Sequence, residues 1–178
     1  MFSIDPGLAE ERSRSFDNGT TTGRFAASAC FLATLVLAAL DIGRLHWFDW
    51  VSANLRLGGL LLFGAAATLQ MWAMTANPFF SPEICLQAER GHRLVAGGPY
   101  RFLRHPGYLA MLISVPSSAL AIGSWLALLP AAAFCLVIVK RVRPEEDFLQ
   151  KNLPGYGDYM RQVRGCLLPQ IKVHERPH

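Results

Sequence analysis

The segment from Gly97 to Ile113, GGPYRFLRHPGYLAMLI, places side chains that can do chemistry directly before an apolar run. Tyr100, His105 and Tyr108 offer hydrogen-bonding groups, and the last two stand about one helical turn apart. A histidine ring can donate a hydrogen bond to a ligand or accept one from it. Tyrosines and basic side chains are equally typical of a membrane boundary, where they anchor a span. From these residues alone, both interpretations stay open.

A second polar block, RVRPEEDFL, begins at Arg141. Pro144 followed by two glutamates predicts a helix start, because proline suits the first turn and acids favour the positive end of the helix dipole. Adjacent helical residues point about 100° apart, so at most one of Glu145 and Glu146 can face a small site. Arg141 and Glu145 would share a face of an unbroken helix. The arginine can grip a carboxylate or anchor the helix at the membrane surface.

The elements that must position these blocks are apolar. The chain of 178 residues is 52% hydrophobic and 17% charged, against about 25% charged in soluble domains. Stretches without charge cover 25–40, 57–82 and 106–139, and a membrane span needs about 20 apolar residues. We therefore predict an all-α integral membrane bundle of about four transmembrane helices, with five as the alternative. The predicted helices lie near 25–41, 57–77, 107–122 and 125–140, and a cytoplasmic helical segment, 141–178, follows them.

The last apolar stretch predicts a hairpin with its corner at Gly123 and Ser124. Because the hairpin doubles back, His105 at its start and Arg141 at its end should return to one membrane depth. The two polar blocks would then be neighbours within a single domain, 25–178. The preceding residues, 1–24, are polar and rich in Ser, Thr and Gly, which predicts a mobile loop without a signal peptide.

The basic residues predict the orientation of the chain. If both termini are cytoplasmic, only Arg44 and Arg56 of the 17 lysines and arginines lie on the opposite side, which is a strong positive-inside bias. The protein would then be multi-pass with its site facing the cytoplasm, in a bacterial inner membrane or a eukaryotic internal membrane. The net charge of +4 favours contact with anionic membrane lipids. A nucleic-acid partner is not expected, since the cations border the predicted spans.

The four cysteines are scattered without a CxxC pair. Two fall within predicted spans and two on the side assigned to the reducing cytoplasm. The sequence therefore predicts neither a disulfide nor a metal site.

The ordered set HRLV, GPYRFLRHPGY, an apolar hairpin, RVRPEEDFL, GYGDY and LLP resembles the isoprenylcysteine carboxyl methyltransferase family, which is related to the membrane phospholipid methyltransferases. The resemblance covers residues 87–169. It implies an integral membrane enzyme that transfers a methyl group from S-adenosylmethionine to a lipid-like acceptor entering from the bilayer. It also implies a cofactor pocket that faces the cytoplasm and is closed by the C-terminal segment.

The resemblance further implies roles for individual residues. Glu145 matches the family's cofactor-binding acid, and Arg141 matches the arginine that binds the acceptor. The other cofactor contacts that it implies are Gln87, His92, Arg93, Leu94, Val95, Tyr100, His105, Pro106, Gly107 and Tyr108. Two positions depart from the family pattern: Ala110 stands where glycine is frequent, and Pro144 directly precedes the acids.

Carboxyl O-methylation of a prenyl-thioether-like or other lipidic acid is the first functional hypothesis. A carboxylate is ionised near neutral pH and needs no general base, and Arg141 favours an anionic acceptor. Methylation of a phospholipid or another amine is the second hypothesis. A non-enzymatic membrane protein that binds anionic lipid and a nicotinamide-dependent membrane reductase remain as alternatives from other classes.

Overall fold

The computed structural model describes residues 6–48, 50–80 and 93–168, with side chains from residue 21 onward. Within these ranges all the regular structure is helical. The helices are α1 (Pro6–Leu40), α2 (Ala53–Ala76), α3 (Pro106–Ile122), α4 (Leu128–Asn152) and α5 (Tyr156–Gln162). A π-helical turn, Asp41–Leu45, continues α1, and a 3₁₀ turn, Gly98–Arg101, precedes α3.

Two segments are long and apolar enough to cross a membrane, namely Thr21–Leu45 and Ala53–Ala76. Helix α3 is apolar but shorter, with 17 residues. At about 1.5 Å per residue it covers roughly 25 Å, slightly less than the hydrocarbon core of a bilayer. The remaining spans of the predicted bundle stay a prediction.

The bundle is held together by two pairs of packed helices. Helix α2 lies along α3 and α1 lies along α4, while α3 also contacts α4. Over their described lengths α1 and α2 barely contact each other. A buried cluster of Ala27, Val115, Ala131, Phe134 and Ile138 joins α1, α3 and α4. The two helix pairs are therefore joined mainly through α3 and α4, and a space remains between α1 and α2.

A buried carboxylate joins the end of α1 to the corner of the hairpin. Asp41 is fully buried and accepts hydrogen bonds from the backbone N–H groups of Trp47 and Phe48, both at 3.1 Å. The hydroxyl of Ser124 donates to the same carboxylate at 2.5 Å. Gly123 ends α3 with φ of 105°, a conformation that glycine adopts readily. The predicted corner at Gly123 and Ser124 is confirmed.

Helix α1 begins far earlier than predicted. The helical backbone starts at Pro6 and includes most of residues 1–24, for which the composition predicted a loop. Proline suits the first turn of a helix, and LAEERSR after it consists largely of strong helix formers. Once a helix has nucleated, each added residue gains a hydrogen bond, so the polar Ser and Thr residues extend it.

Helix α4 corrects a second prediction. It runs without interruption from Leu128 to Asn152, so Pro144 lies inside a helix and does not begin one. The missing N–H of Pro144 frees the carbonyl of Lys140, and both residues are exposed, so water can bond this carbonyl. Helix α4 ends at Asn152, and Gly155 turns the chain with φ of 82° before α5.

Candidate active site

One large cavity lies within the bundle and extends to the loop before α3. Its volume is 810 Å³, toward the large end of the range of about 300–1,000 Å³ for small-molecule sites. Apolar residues from α1 to α4 line one part of it: Ala27, Phe31, Phe63, Ala66, Met111, Val115, Phe134 and Ile138. The other part carries the polar side chains of the two sequence blocks. The cavity is therefore amphipathic.

Most of the predicted site residues lie on the wall of this cavity. They are Arg93, Leu94, Val95, Tyr100, His105, Pro106, Gly107, Tyr108, Arg141 and Glu145. Gln87 and His92 lie outside the described residues. The hairpin thus brings together two blocks that stand more than thirty residues apart in the chain.

The contact between the two blocks is made by side chains. The hydroxyl of Tyr108, in the first turn of α3, donates a hydrogen bond to the Glu145 carboxylate on α4. Arg141 is hydrogen-bonded to the same tyrosine. Because α4 is unbroken at Pro144, Arg141 and Glu145 stand one turn apart on one face. An arginine, a tyrosine and a carboxylate therefore meet at the polar end of the cavity.

His105 lies between the two glutamates of α4. Its buried ring stacks on Tyr108 with 5.5 Å between the ring centroids. Nδ1 is 3.9 Å from Oε1 of Glu145, and Nε2 is 3.3 Å from Oε1 of Glu146. Glu145 lines the cavity, whereas Glu146 lies on the other side of the imidazole. This arrangement agrees with the expectation that only one of the pair faces the site.

Arg104 and Glu146 form an ion pair that the sequence did not predict. Nε of Arg104 donates to Oε1 of Glu146 at 2.6 Å. Burial raises the pKa of Glu146, but hydrogen bonds from His105 and Arg104 outweigh this effect and lower the pKa to about 2. The sequence suggested only a membrane anchor for Arg104. The available signal was its position beside His105, since a neighbour of a pocket residue can reach the same partners.

The segment after α5 is fastened to the loop that carries His105. The backbone N–H groups of Arg104 and His105 donate to the carbonyls of Gly165 and Cys166, at 2.9 and 3.1 Å. The buried hydroxyl of Tyr159 donates to the carbonyl of Tyr100 at 2.6 Å. These bonds close one side of the cavity.

Two glycines of the first block allow close packing. Gly98 has φ of 58°, and a Cβ atom there would lie 2.9 Å from Cβ of Ala76. A Cβ atom on Gly107 would lie 2.6 Å from the ring of Phe80. Both glycines let the loop and α3 approach the end of α2, so they shape the wall that presents Tyr100 and Tyr108.

Oε1 of Gln70 and the hydroxyl of Tyr156 are buried polar atoms on the cavity wall that have no hydrogen-bond partner within the described ranges. A buried polar group without a partner is costly, so a polar ligand in the cavity would stabilise both. Neither residue was predicted to line the site, because the sequence pattern of Gln70 is typical of a helix–helix contact within a span and that of Tyr156 is typical of an aromatic residue at the membrane surface.

The chain is a helical protein with a polar pocket at one end of an apolar cavity. Residues 58–151 match the model of the isoprenylcysteine carboxyl methyltransferase (ICMT) family, and this range runs from α2 to α4. The chain belongs to this family. Membership and the two apolar helices indicate a membrane protein and support a membrane methyltransferase.

Individual relatives carry two kinds of name. The chain is 30% identical over 178 residues to the cobalt-zinc-cadmium resistance protein CzcN of Cupriavidus metallidurans, covering 97% of this chain and 76% of that protein. It is 29% identical over 134 residues to the nickel-cobalt-cadmium resistance protein NccN of Alcaligenes xylosoxydans xylosoxydans, covering 74% and 59%. It is 34% identical over 102 residues to a probable protein-S-isoprenylcysteine O-methyltransferase of Oryza sativa subsp. indica, covering 53% and 50%.

Proposed function

We propose that this protein is an S-adenosylmethionine-dependent membrane methyltransferase that methylates the carboxylate of a prenyl-thioether-like or other lipidic acid. The observation that carries the proposal is the meeting of Tyr108, Arg141 and Glu145 at the polar end of a cavity whose other end is apolar. A lipidic acid has the same division, with an anionic head and an apolar tail. The family match supports the reaction class.

The residues of the polar end suit the cofactor. S-adenosylmethionine carries a sulfonium, an ammonium and a carboxylate, so its site needs an anion, hydrogen-bond donors and aromatic walls. Glu145 supplies the anion, His105 and the unpartnered hydroxyl of Tyr156 supply donors, and Tyr100 and Tyr108 supply the walls. When bound, the cofactor provides an electrophilic methyl group.

The protein's contribution is to position the acceptor and exclude water. Arg141 binds the acceptor carboxylate through the two parallel hydrogen bonds that a guanidinium offers. The carboxylate is ionised at neutral pH and therefore needs no general base. Alignment of the acceptor and removal of water lower the barrier to an in-line displacement. The acceptor's tail occupies the apolar part of the cavity, which it enters from the bilayer between α1 and α2.

The test measures cofactor binding and turnover separately, with purified protein in detergent and an S-prenyl-cysteine derivative as the acceptor. We expect saturable binding of S-adenosylmethionine that weakens more than tenfold in Glu145→Gln. Arg141→Ala should lower turnover by about 100-fold, on the scale of a lost charge-stabilising donor, while cofactor affinity stays within twofold of wild type. Matched controls are the exposed neighbours on α4, Asp147→Asn and Arg143→Ala, which should change neither quantity.

Each outcome discriminates between hypotheses. Loss of cofactor affinity in Arg141→Ala would contradict the assignment of Arg141 to the acceptor. Absence of cofactor binding in the wild type would favour the non-enzymatic lipid-binding protein. A labelled product whose methyl group withstands alkali would indicate an amine acceptor, since alkali releases the methyl group of an ester as methanol.

The names of CzcN and NccN favour a second, cellular function. The alignment with CzcN covers 97% of this chain, so we propose that this protein also contributes to tolerance of divalent cobalt, zinc or cadmium. Deletion of its gene should lower the metal concentration that permits growth, and an Arg141→Ala copy should not restore it if methyl transfer is the contribution. Unchanged growth of the deletion strain in all three metals would contradict this function.

A further inference from the structure

Three side chains whose types can ligate a metal ion come from separate segments and meet beside the candidate active site. His105 precedes α3, Glu146 lies in α4, and Cys166 lies in the tail after α5. Their ligand atoms all lie within 4.8 Å of one another. Nε2 of His105 is 3.3 Å from Oε1 of Glu146, and Sγ of Cys166 is 3.4 Å from the same oxygen. His105 is buried, and Glu146 and Cys166 are largely shielded.

We propose that this cluster, His105, Glu146 and Cys166, binds a divalent transition-metal ion of the zinc and cobalt type. Imidazole nitrogen, carboxylate oxygen and thiolate sulfur are the ligands that zinc takes in proteins. In a tetrahedral site with ordinary zinc–ligand lengths, the ligand atoms stand about 3.3–3.6 Å apart. Two of the three separations already have these lengths. The third separation, between Nε2 of His105 and Sγ of Cys166, is no longer than 4.8 Å.

Arg104 is the competing cation, because its Nε donates to the oxygen of Glu146 that the other two ligands approach. It is not bound to the carboxylate alone, since Nη1 also donates to the carbonyls of Val163 and Arg164, at 3.0 and 3.4 Å. Arg104 can therefore release the carboxylate and keep hydrogen-bond partners. Metal and guanidinium are alternative partners of Glu146 and also of Cys166, whose thiol Arg104 contacts.

The charges of the cluster are compatible with a divalent ion. On binding, the thiol proton passes to solvent, and the thiolate and the carboxylate together neutralise the two positive charges. Three protein ligands leave a fourth position for water. The site borders the cavity through His105 but does not depend on methyl transfer.

The experiment titrates Co²⁺ into purified metal-free protein in detergent and records its absorption spectrum. Bound cobalt should show the visible bands of a tetrahedral ion and a near-ultraviolet thiolate-to-cobalt band, at one ion per chain, and Zn²⁺ should remove both. Cys166→Ser should abolish the thiolate band. Glu146→Gln should keep the thiol but weaken Zn²⁺ binding more than tenfold, since even changes around metal ligands cost about 10–100-fold.

Cys135→Ser is the matched control, because Cys135 packs against the apolar cluster of α1, α3 and α4, and it should bind cobalt as the wild type does. In case Cys166→Ser does not fold, Zn²⁺ protection of Cys166 against a maleimide is measured in the wild type by mass spectrometry. Absence of the thiolate band in the wild type, its persistence in Cys166→Ser, or unprotected Cys166 would overturn the proposal. Each of these readings is independent of the cofactor, so a failure here leaves the proposed methyltransferase untouched.

Discussion

Tyr156 and Tyr159 stand one turn apart on α5 and are equally buried, yet their hydroxyls lie in different surroundings. That of Tyr159 donates to the carbonyl of Tyr100, whereas that of Tyr156 has no partner within the described ranges. Burial raises the pKa of both, so both are neutral at physiological pH. Tyr159 therefore fastens α5 to the loop, and the hydroxyl of Tyr156 is available to a ligand.

These roles predict opposite effects of removing each hydroxyl. Tyr159→Phe should destabilise the protein by about 1 kcal/mol, the net value of one hydrogen bond, and lower Tm by about 2–4 °C. Tyr156→Phe should leave Tm unchanged but weaken the binding of S-adenosylmethionine. Thermal unfolding and cofactor titration in the same detergent measure both effects, and a stability loss in Tyr156→Phe alone would reverse the assignment.

At the scale of elements, the contact between α2 and α3 depends on one small residue. A Cβ atom on Gly59 would lie 2.8 Å from the backbone nitrogen of Ala121 and 2.9 Å from the carbonyl oxygen of Ser117. Backbone atoms cannot move aside as a flexible side chain can. The close approach of these helices therefore requires glycine at this position, as is frequent in membrane bundles.

Gly59→Ala should consequently destabilise the bundle by about 1–3 kcal/mol, the usual cost of overpacking. Its neighbour provides the control, because a Cβ atom on Gly58 has no other atom within 4 Å. Gly58→Ala should be neutral or stabilising, since alanine is the better helix former by up to about 1 kcal/mol. Thermal unfolding of the two variants checks the prediction, and equal stability of both would contradict this account of the interface.

At the scale of the whole molecule, the predicted topology assigns each end of the bundle to one side of the membrane. Four spans with both termini in the cytoplasm would place the π-helical turn and the polar end of α4 on opposite sides of the membrane. In a background without cysteines, Trp47→Cys should react with an impermeant maleimide added to intact cells or spheroplasts. Lys151→Cys should react only after permeabilisation. Both native side chains are exposed, so reaction of both from one side would refute the four-span topology.

Much of this architecture can be predicted from local patterns in the sequence. Long uncharged stretches are costly to expose to water, so they predict helices that lie in a membrane, and an apolar stretch too long for one span predicts a hairpin with its turn at Gly123. The order of the two polar blocks around that hairpin was enough to predict that the blocks would be neighbours, and Tyr108 and Glu145 make the contact between them. These features follow from composition, length and chain connectivity.

Other features depended on how the helices rotate and pack. The rotation of α4 against α3 decides which glutamate faces the cavity. Helix α4 continues through Pro144 because this residue lies on the exposed side of the helix. Arg104 pairs with Glu146 across 42 positions of the chain, and Cys166 approaches Glu146 across 20 positions. Composition and chain connectivity were enough to predict the class of protein and the segments that form the site. The side-chain partners within the site could be known only from the folded chain, because contacts between distant segments arise from packing and leave no local pattern.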